Sequence, residues 1–109
     1  MNSALVAVKL LHTGAWAFFA GCVLALPFAA VARQWSWVLG LSGMVLLECL
    51  ILAVNGGSCP LTAWAARYTD NRSPNFDIYL PAWLARHNKF IFGTIFAFGE
   101  LLAVWWWFR

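Results

Sequence analysis

From Leu10 to Ala32 the chain runs for 23 residues in which His12 and Thr13 are the strongly polar members. A bilayer's hydrocarbon core is about 30 Å thick and an α-helix rises about 1.5 Å per residue, so about 20 apolar residues cross it. This run is long enough. Trp35 to Val54 makes a second such run, interrupted by small residues and Glu48, and residues 88–108 make a third. A soluble globule of 109 residues must show most of its side chains to water. Seven Lys/Arg and four Asp/Glu, in a chain 63% hydrophobic and 10% charged, cannot cover that surface. The expected fold is therefore all-α. It is a single polytopic membrane domain over 1–109, with transmembrane helices at about 10–32, 35–54 and 88–108 and a long loop at 55–87.

The punctuation between the runs supports these limits. A cleaved signal peptide would have an apolar core of about 7 to 15 residues; the first run is longer and carries a histidine, which argues for a retained span. Pro27 falls in its last two turns, where a kink is tolerated in a membrane helix. Arg33-Gln34 forms a tight polar link. Gly56-Gly57 ends the second span, because glycine accepts the left-handed conformation found at helix C-termini. Pro81 is placed to start the last helix early, since a first-turn proline loses no needed hydrogen bond. In the loop, Leu61, Trp64, Ala65 and Tyr68 recur at helical spacing, which predicts a short amphipathic helix lying at the interface. Residues 71–75 are turn-like, and Phe76 to Leu80 reads as an extended return. A fourth crossing would bury Arg67, Asp70, Arg72 and Asp77, and is rejected.

Three crossings put Trp35 and Trp37 on the same side as Trp105, Trp106 and Trp107, as one aromatic belt. Lys9, Arg67, Arg72, Arg86 and Lys89 flank the other side, against Arg33 and Arg109 at the belt. Five positives against two favour a cytoplasmic N-terminus and loop. The basic residues are not clustered as a nucleic-acid surface would require, so the expected partners are membrane lipid and either further copies of the chain or a larger membrane protein.

The chemistry-bearing candidates are few. Folding the first two spans about residues 33 and 34 brings His12 level with Asn55. Glu48 lies seven residues inward, about 10 Å deeper, and Glu100 lies about 20 Å deep from the same face. Each carboxyl should face the bundle interior, protonated or partnered, or hydrogen-bonded to Ser42 or Thr94 as helix glue. The difficulty of enclosing both with three helices is what favours an oligomer or a partner subunit. His12 with Glu48 could be a ligand and its orienter, or with Cys59 a metal set. His12 and His87 could clamp a haem if both faced one cavity, although His87 beside Arg86 and Lys89 reads more simply as a headgroup contact. Cys59, just before Pro60 at a helix start, is the candidate reactive thiol. Cys22 and Cys49 lie inside spans, where cysteine acts as a small apolar residue.

Leu11-His12, the in-span Glu48, Cys59-Pro60-Leu61-Thr62 and Tyr79-Leu80-Pro81 together resemble a family of small bacterial inner-membrane proteins, catalogued as a domain of unknown function. The Cys-Pro-Leu-Thr run is its most specific element, and through it Pro60 and Thr62 join the candidate functional residues. Many members follow that run with a leucine-acidic-asparagine cluster, where this chain has Ala63-Trp64-Ala65-Ala66-Arg67, so no role of that acidic position carries over. The resemblance implies placement in the bacterial cell membrane and supplies no activity.

No metalloprotease HExxH, phosphate-cradling glycine loop or serine-nucleophile elbow occurs. No cofactor is required by the sequence. The leading expectation is a structural or accessory helical subunit. The alternative is a redox, metal or haem protein built on His12, Glu48, Cys59 and His87. A transporter is a distant third, because three spans enclose no pathway.

Overall fold

The computed structural model describes residues 3–109. Four helices follow one another: α1 (Ser3–Val31), α2 (Trp35–Val54), α3 (Pro60–Ala66) and α4 (Ala82–Trp107), with no strand among the described residues. α1, α2 and α4 are long and apolar enough to cross a membrane. The molecule is a rod of 53 × 23 × 22 Å.

The second span matches its expected bounds, whereas the first and last helices start earlier than their apolar runs. α1 begins at Ser3 and at 29 residues is about 43 Å long, more than a hydrocarbon core needs. Its first turns therefore carry His12 and Thr13 towards the loop. α4 begins at Ala82, directly after Pro81, as that proline's fixed φ favours.

Each break has a local cause. At the α1–α2 link Arg33 takes φ 56°, unusual for a residue with a side chain. The turn is held because the Arg33 and Gln34 N–H groups donate to the Ala30 and Ala29 carbonyls at 3.1 and 3.0 Å. The Arg33 guanidinium lies 5.1 Å from the Trp106 ring centre. After α2, Gly56 and Gly57 adopt φ 71° and 88°, and the Gly57 N–H donates to the Leu52 carbonyl. Side chains pointing the wrong way would strain this corner; glycines do not.

α1 is the central element and packs against α2, α3 and α4. Leu26 and Ala30, both fully buried, meet Val38 of α2 and Ala103 of α4. One level along, Cys22 and Val23 meet Val45. Gly99 lets α4 approach: a Cβ there would stand 3.0 Å from Leu26 Cδ2. Small residues at such crossings are how membrane helices gain van der Waals contact when lipid supplies no hydrophobic drive. Most of the remaining apolar surface, including Phe28, Leu39 and Phe90, faces outward.

The aromatic belt forms at the end opposite the loop. The Trp35 and Trp107 rings meet edge to face with centres 5.1 Å apart, and Arg109 lies 4.6 Å from the Trp105 ring centre. The 33–34 link and the C-terminus thus share one end of the rod. At the other end, Phe76 to Leu80, expected as an extended return, instead lies in turns over residues 74–77 and bends over 78–80. Asp77 and Ile78 are buried there, and α1 supplies hydrogen-bond partners to the Asp77 carbonyl and the Tyr79 N–H.

Candidate functional site

The loop is fastened to α1 by polar contacts spaced along one face. Thr13 Oγ1 donates to the Lys9 carbonyl at 2.7 Å and accepts the Tyr79 N–H at 2.9 Å. Lys9 Nζ sits 4.4 Å from the Tyr79 ring centre. A turn further on, Trp16 Nε1 donates to Asn88 Oδ1 of α4 at 2.7 Å. Lys89 closes the far side by donating to the Gly57 carbonyl.

Between these contacts lies a partly buried polar grouping. His12 Nδ1 stands 3.1 Å from the Asp77 carbonyl oxygen and 3.4 Å from the Asp77 carboxylate Oδ2. Both neighbours are acceptors, so Nδ1 carries a proton and Nε2 is the nitrogen left for a second partner. Thr62 Oγ1 donates to the same Oδ2 at 2.5 Å. Asp77 is 6% exposed, and burial by itself would raise its pKa. Hydrogen bonds from His12 and Thr62, the His12 charge and the Asp77 backbone N–H outweigh that and hold the carboxyl below its ordinary range.

Cys59 ends the corner after α2 and is followed by Pro60 in the first turn of α3, as its sequence position suggests. Its half-buried thiol lines the same cavity as His12. Burial pushes the thiol up. The polar side chain and charge of His12, with the Leu61 backbone N–H, together push harder the other way, leaving it below its ordinary value despite the opposing charge of Glu48.

These groups open onto one cavity of about 440 Å³ whose lining includes His12, Glu48, Cys59, Thr62 and Asp77. That volume is in the range of small-molecule sites, about 300–1,000 Å³. Phe19, Ile51, Leu52, Leu61 and Leu80 supply apolar wall, and Arg86 and Lys89 supply positive charge.

Of the residues singled out from sequence, His12, Glu48, Cys59, Pro60 and Thr62 therefore meet around a single space. The 10 Å stagger expected between His12 and Glu48 does not keep them apart, because the cavity extends along α1. His87 is exposed and outside this lining, so it does not share a cavity with His12 and the haem clamp lacks its second ligand. Among the described residues no three of His, Cys, Asp and Glu are arranged to hold a metal ion, which removes geometric support from the His12, Glu48 and Cys59 metal set. Glu100 lies elsewhere: Ser42 Oγ donates to its Oε1 at 2.5 Å, gluing α2 to α4 within one chain. Thr94 instead donates to the Phe90 carbonyl at 2.7 Å.

Asp77, Asn88 and Trp16 carry much of the site and were missed as functional residues. Asp77 entered the sequence reading as a charge that forbids a fourth crossing. Its burial depends on a partner 65 positions away, which no local pattern reveals.

No known protein family, curated protein or solved structure matches this chain.

Proposed function

We propose that this chain is an accessory subunit of the bacterial inner membrane, a relative of the small membrane proteins that carry the Cys-Pro-Leu-Thr run. Its work is to hold one amphiphile of membrane origin at the loop face. The observation that carries this reading is the 440 Å³ cavity at the loop end of the rod, polar on the His12, Thr62 and Asp77 side and apolar along Phe19, Ile51 and Leu52. A molecule with a polar head and a hydrocarbon chain matches both walls, and the bilayer supplies such molecules at high local concentration. The loop platform and the N-terminus lie on the cytoplasmic side in this reading, following the excess of positive residues there. The outward apolar faces meet lipid or neighbouring subunits.

Native mass spectrometry of the protein released from mild detergent tests the reading. One retained amphiphile per chain is expected, and it should be lost when Ala15→Trp fills the cavity from α1. Protein that carries no amphiphile, or that carries the same amount in the filled variant, contradicts it.

A further inference from the structure

Cys59, His12 and Asp77 come from three separate parts of the chain, the corner after α2, the body of α1 and the return loop, and all three line the cavity. We propose that they form a nucleophilic site, with Cys59 as the attacking group, His12 as its base and Asp77 as the residue that positions His12, acting on an activated acyl group, a thioester or ester, of an amphiphile. This inference rests on the cavity being an amphiphile site and adds the reaction.

The arrangement meets the requirements of such chemistry in turn. A cysteine nucleophile needs a base within hydrogen-bond reach, and that base needs a third group to fix its tautomer. His12 and Cys59 line the same space, while the Asp77 carbonyl and carboxylate hold the proton on Nδ1. Thr62 fixes the carboxylate in its turn. The other charged groups lining the space are Glu48 from α2 and Arg86 and Lys89 from α4. Glu48 opposes the thiolate, and Lys89 is already engaged with the Gly57 carbonyl. The other two cysteines take no part: Cys22 is buried in the α1–α2 contact, and Cys49 is on the outer surface of α2.

In the step itself His12 holds the proton taken from the Cys59 thiol, and the thiolate sulfur attacks the acyl carbonyl carbon. A new S–C bond forms and the C–O or C–S bond to the leaving group breaks. The departing alcohol or thiol takes the proton back from His12, so no oxidant or reductant is required. The acyl chain lies along the apolar wall, in the direction of the bilayer.

A latch that merely pins the loop to α1 would use His12 and Asp77 equally well, but it would leave Cys59 an ordinary thiol. Iodoacetamide alkylation of full-length Cys22→Ser/Cys49→Ser protein in mild detergent, followed from pH 5 to 9 by intact mass, separates the two. The expected profile has its midpoint below the ordinary thiol value of about 8.5. It returns to that value in His12→Gln, with a loss of rate at pH 7 of about tenfold. Asp77→Asn, which keeps the side chain's shape, gives an intermediate profile and guards against a His12 variant that fails to fold. Incubation with p-nitrophenyl octanoate and with the octanoyl thioester of N-acetylcysteamine should add one octanoyl group to Cys59, removable by hydroxylamine and absent in Cys59→Ser. An ordinary profile unchanged by His12→Gln, or no octanoyl adduct from either donor, overturns the proposal. Retention of the bound amphiphile in Cys59→Ser shows that the binding reading survives such a failure.

Discussion

His12 of α1 and Asp77 of the return loop stand 65 positions apart in the chain, yet His12 Nδ1 lies 3.1 Å from the Asp77 carbonyl oxygen and 3.4 Å from its carboxylate. The loop is thereby tied to the central helix at the membrane face. Replacing Asp77 with Ala strips Thr62 of its acceptor and His12 of its counter-charge in a nearly closed setting, a loss of about 1–3 kcal/mol per stranded group. Thermal unfolding in detergent should show a lower midpoint for Asp77→Ala and a smaller drop for Asp77→Asn, whose amide oxygen still accepts from Thr62.

The same carboxyl makes loop docking acid-sensitive. Its native pKa lies below the ordinary aspartate value of about 3.9, so its contribution is fully present above that value and disappears as pH falls through the lowered native value. Limited proteolysis across Asn71 to Ser73, or hydrogen exchange of the Tyr79 amide, should show the loop opening below about pH 4. Asp77→Asn should flatten that acid limb.

Gly99 and Leu26 set the distance between α4 and α1. A methyl at 99 would approach Leu26 Cδ2 to 3.0 Å and Cγ to 3.2 Å. Gly99→Ala is expected to destabilise by about 1–3 kcal/mol through overpacking. Leu26→Ala, which empties a fully buried position, is expected to cost about 2–5 kcal/mol. The two changes share one space, so the double variant should cost less than their sum in a thermal-unfolding cycle.

Ser42 and Glu100 make a polar link between α2 and α4. Ser42→Ala leaves the carboxyl without its donor and should lower the unfolding midpoint by the equivalent of about 1–3 kcal/mol. Glu100→Gln keeps an acceptor oxygen facing Ser42 and should cost less than Ser42→Ala in the same assay.

The fold was legible because its signals are local. Span lengths, the Gly56-Gly57 stop and Pro81 each state a boundary through their own backbone preferences, and the tryptophans at the start of α2 and the end of α4 predict one shared belt. The start of α1 was less legible, since Lys9 interrupts the apolar run and hides that Ala4 to Val8 belongs to the same helix. In the site, Cys59 and His12 could be nominated by residue type. Asp77 could not, because an aspartate in a polar loop reads as a turn former until its distant partner is known. His87 was a fair candidate by type, and its outward position on α4 is what excludes it from the cavity.

Labelling with a membrane-impermeant maleimide reports most directly on whether the three long helices cross the bilayer and place the cavity opposite the C-terminus. Single-cysteine proteins carrying Asn71→Cys or Arg109→Cys, with Cys22, Cys49 and Cys59 changed to Ser, would be labelled in sealed vesicles of one orientation. The account predicts that one of the two positions reacts from outside and the other reacts after the vesicles are opened. Labelling of both from the same side would contradict it.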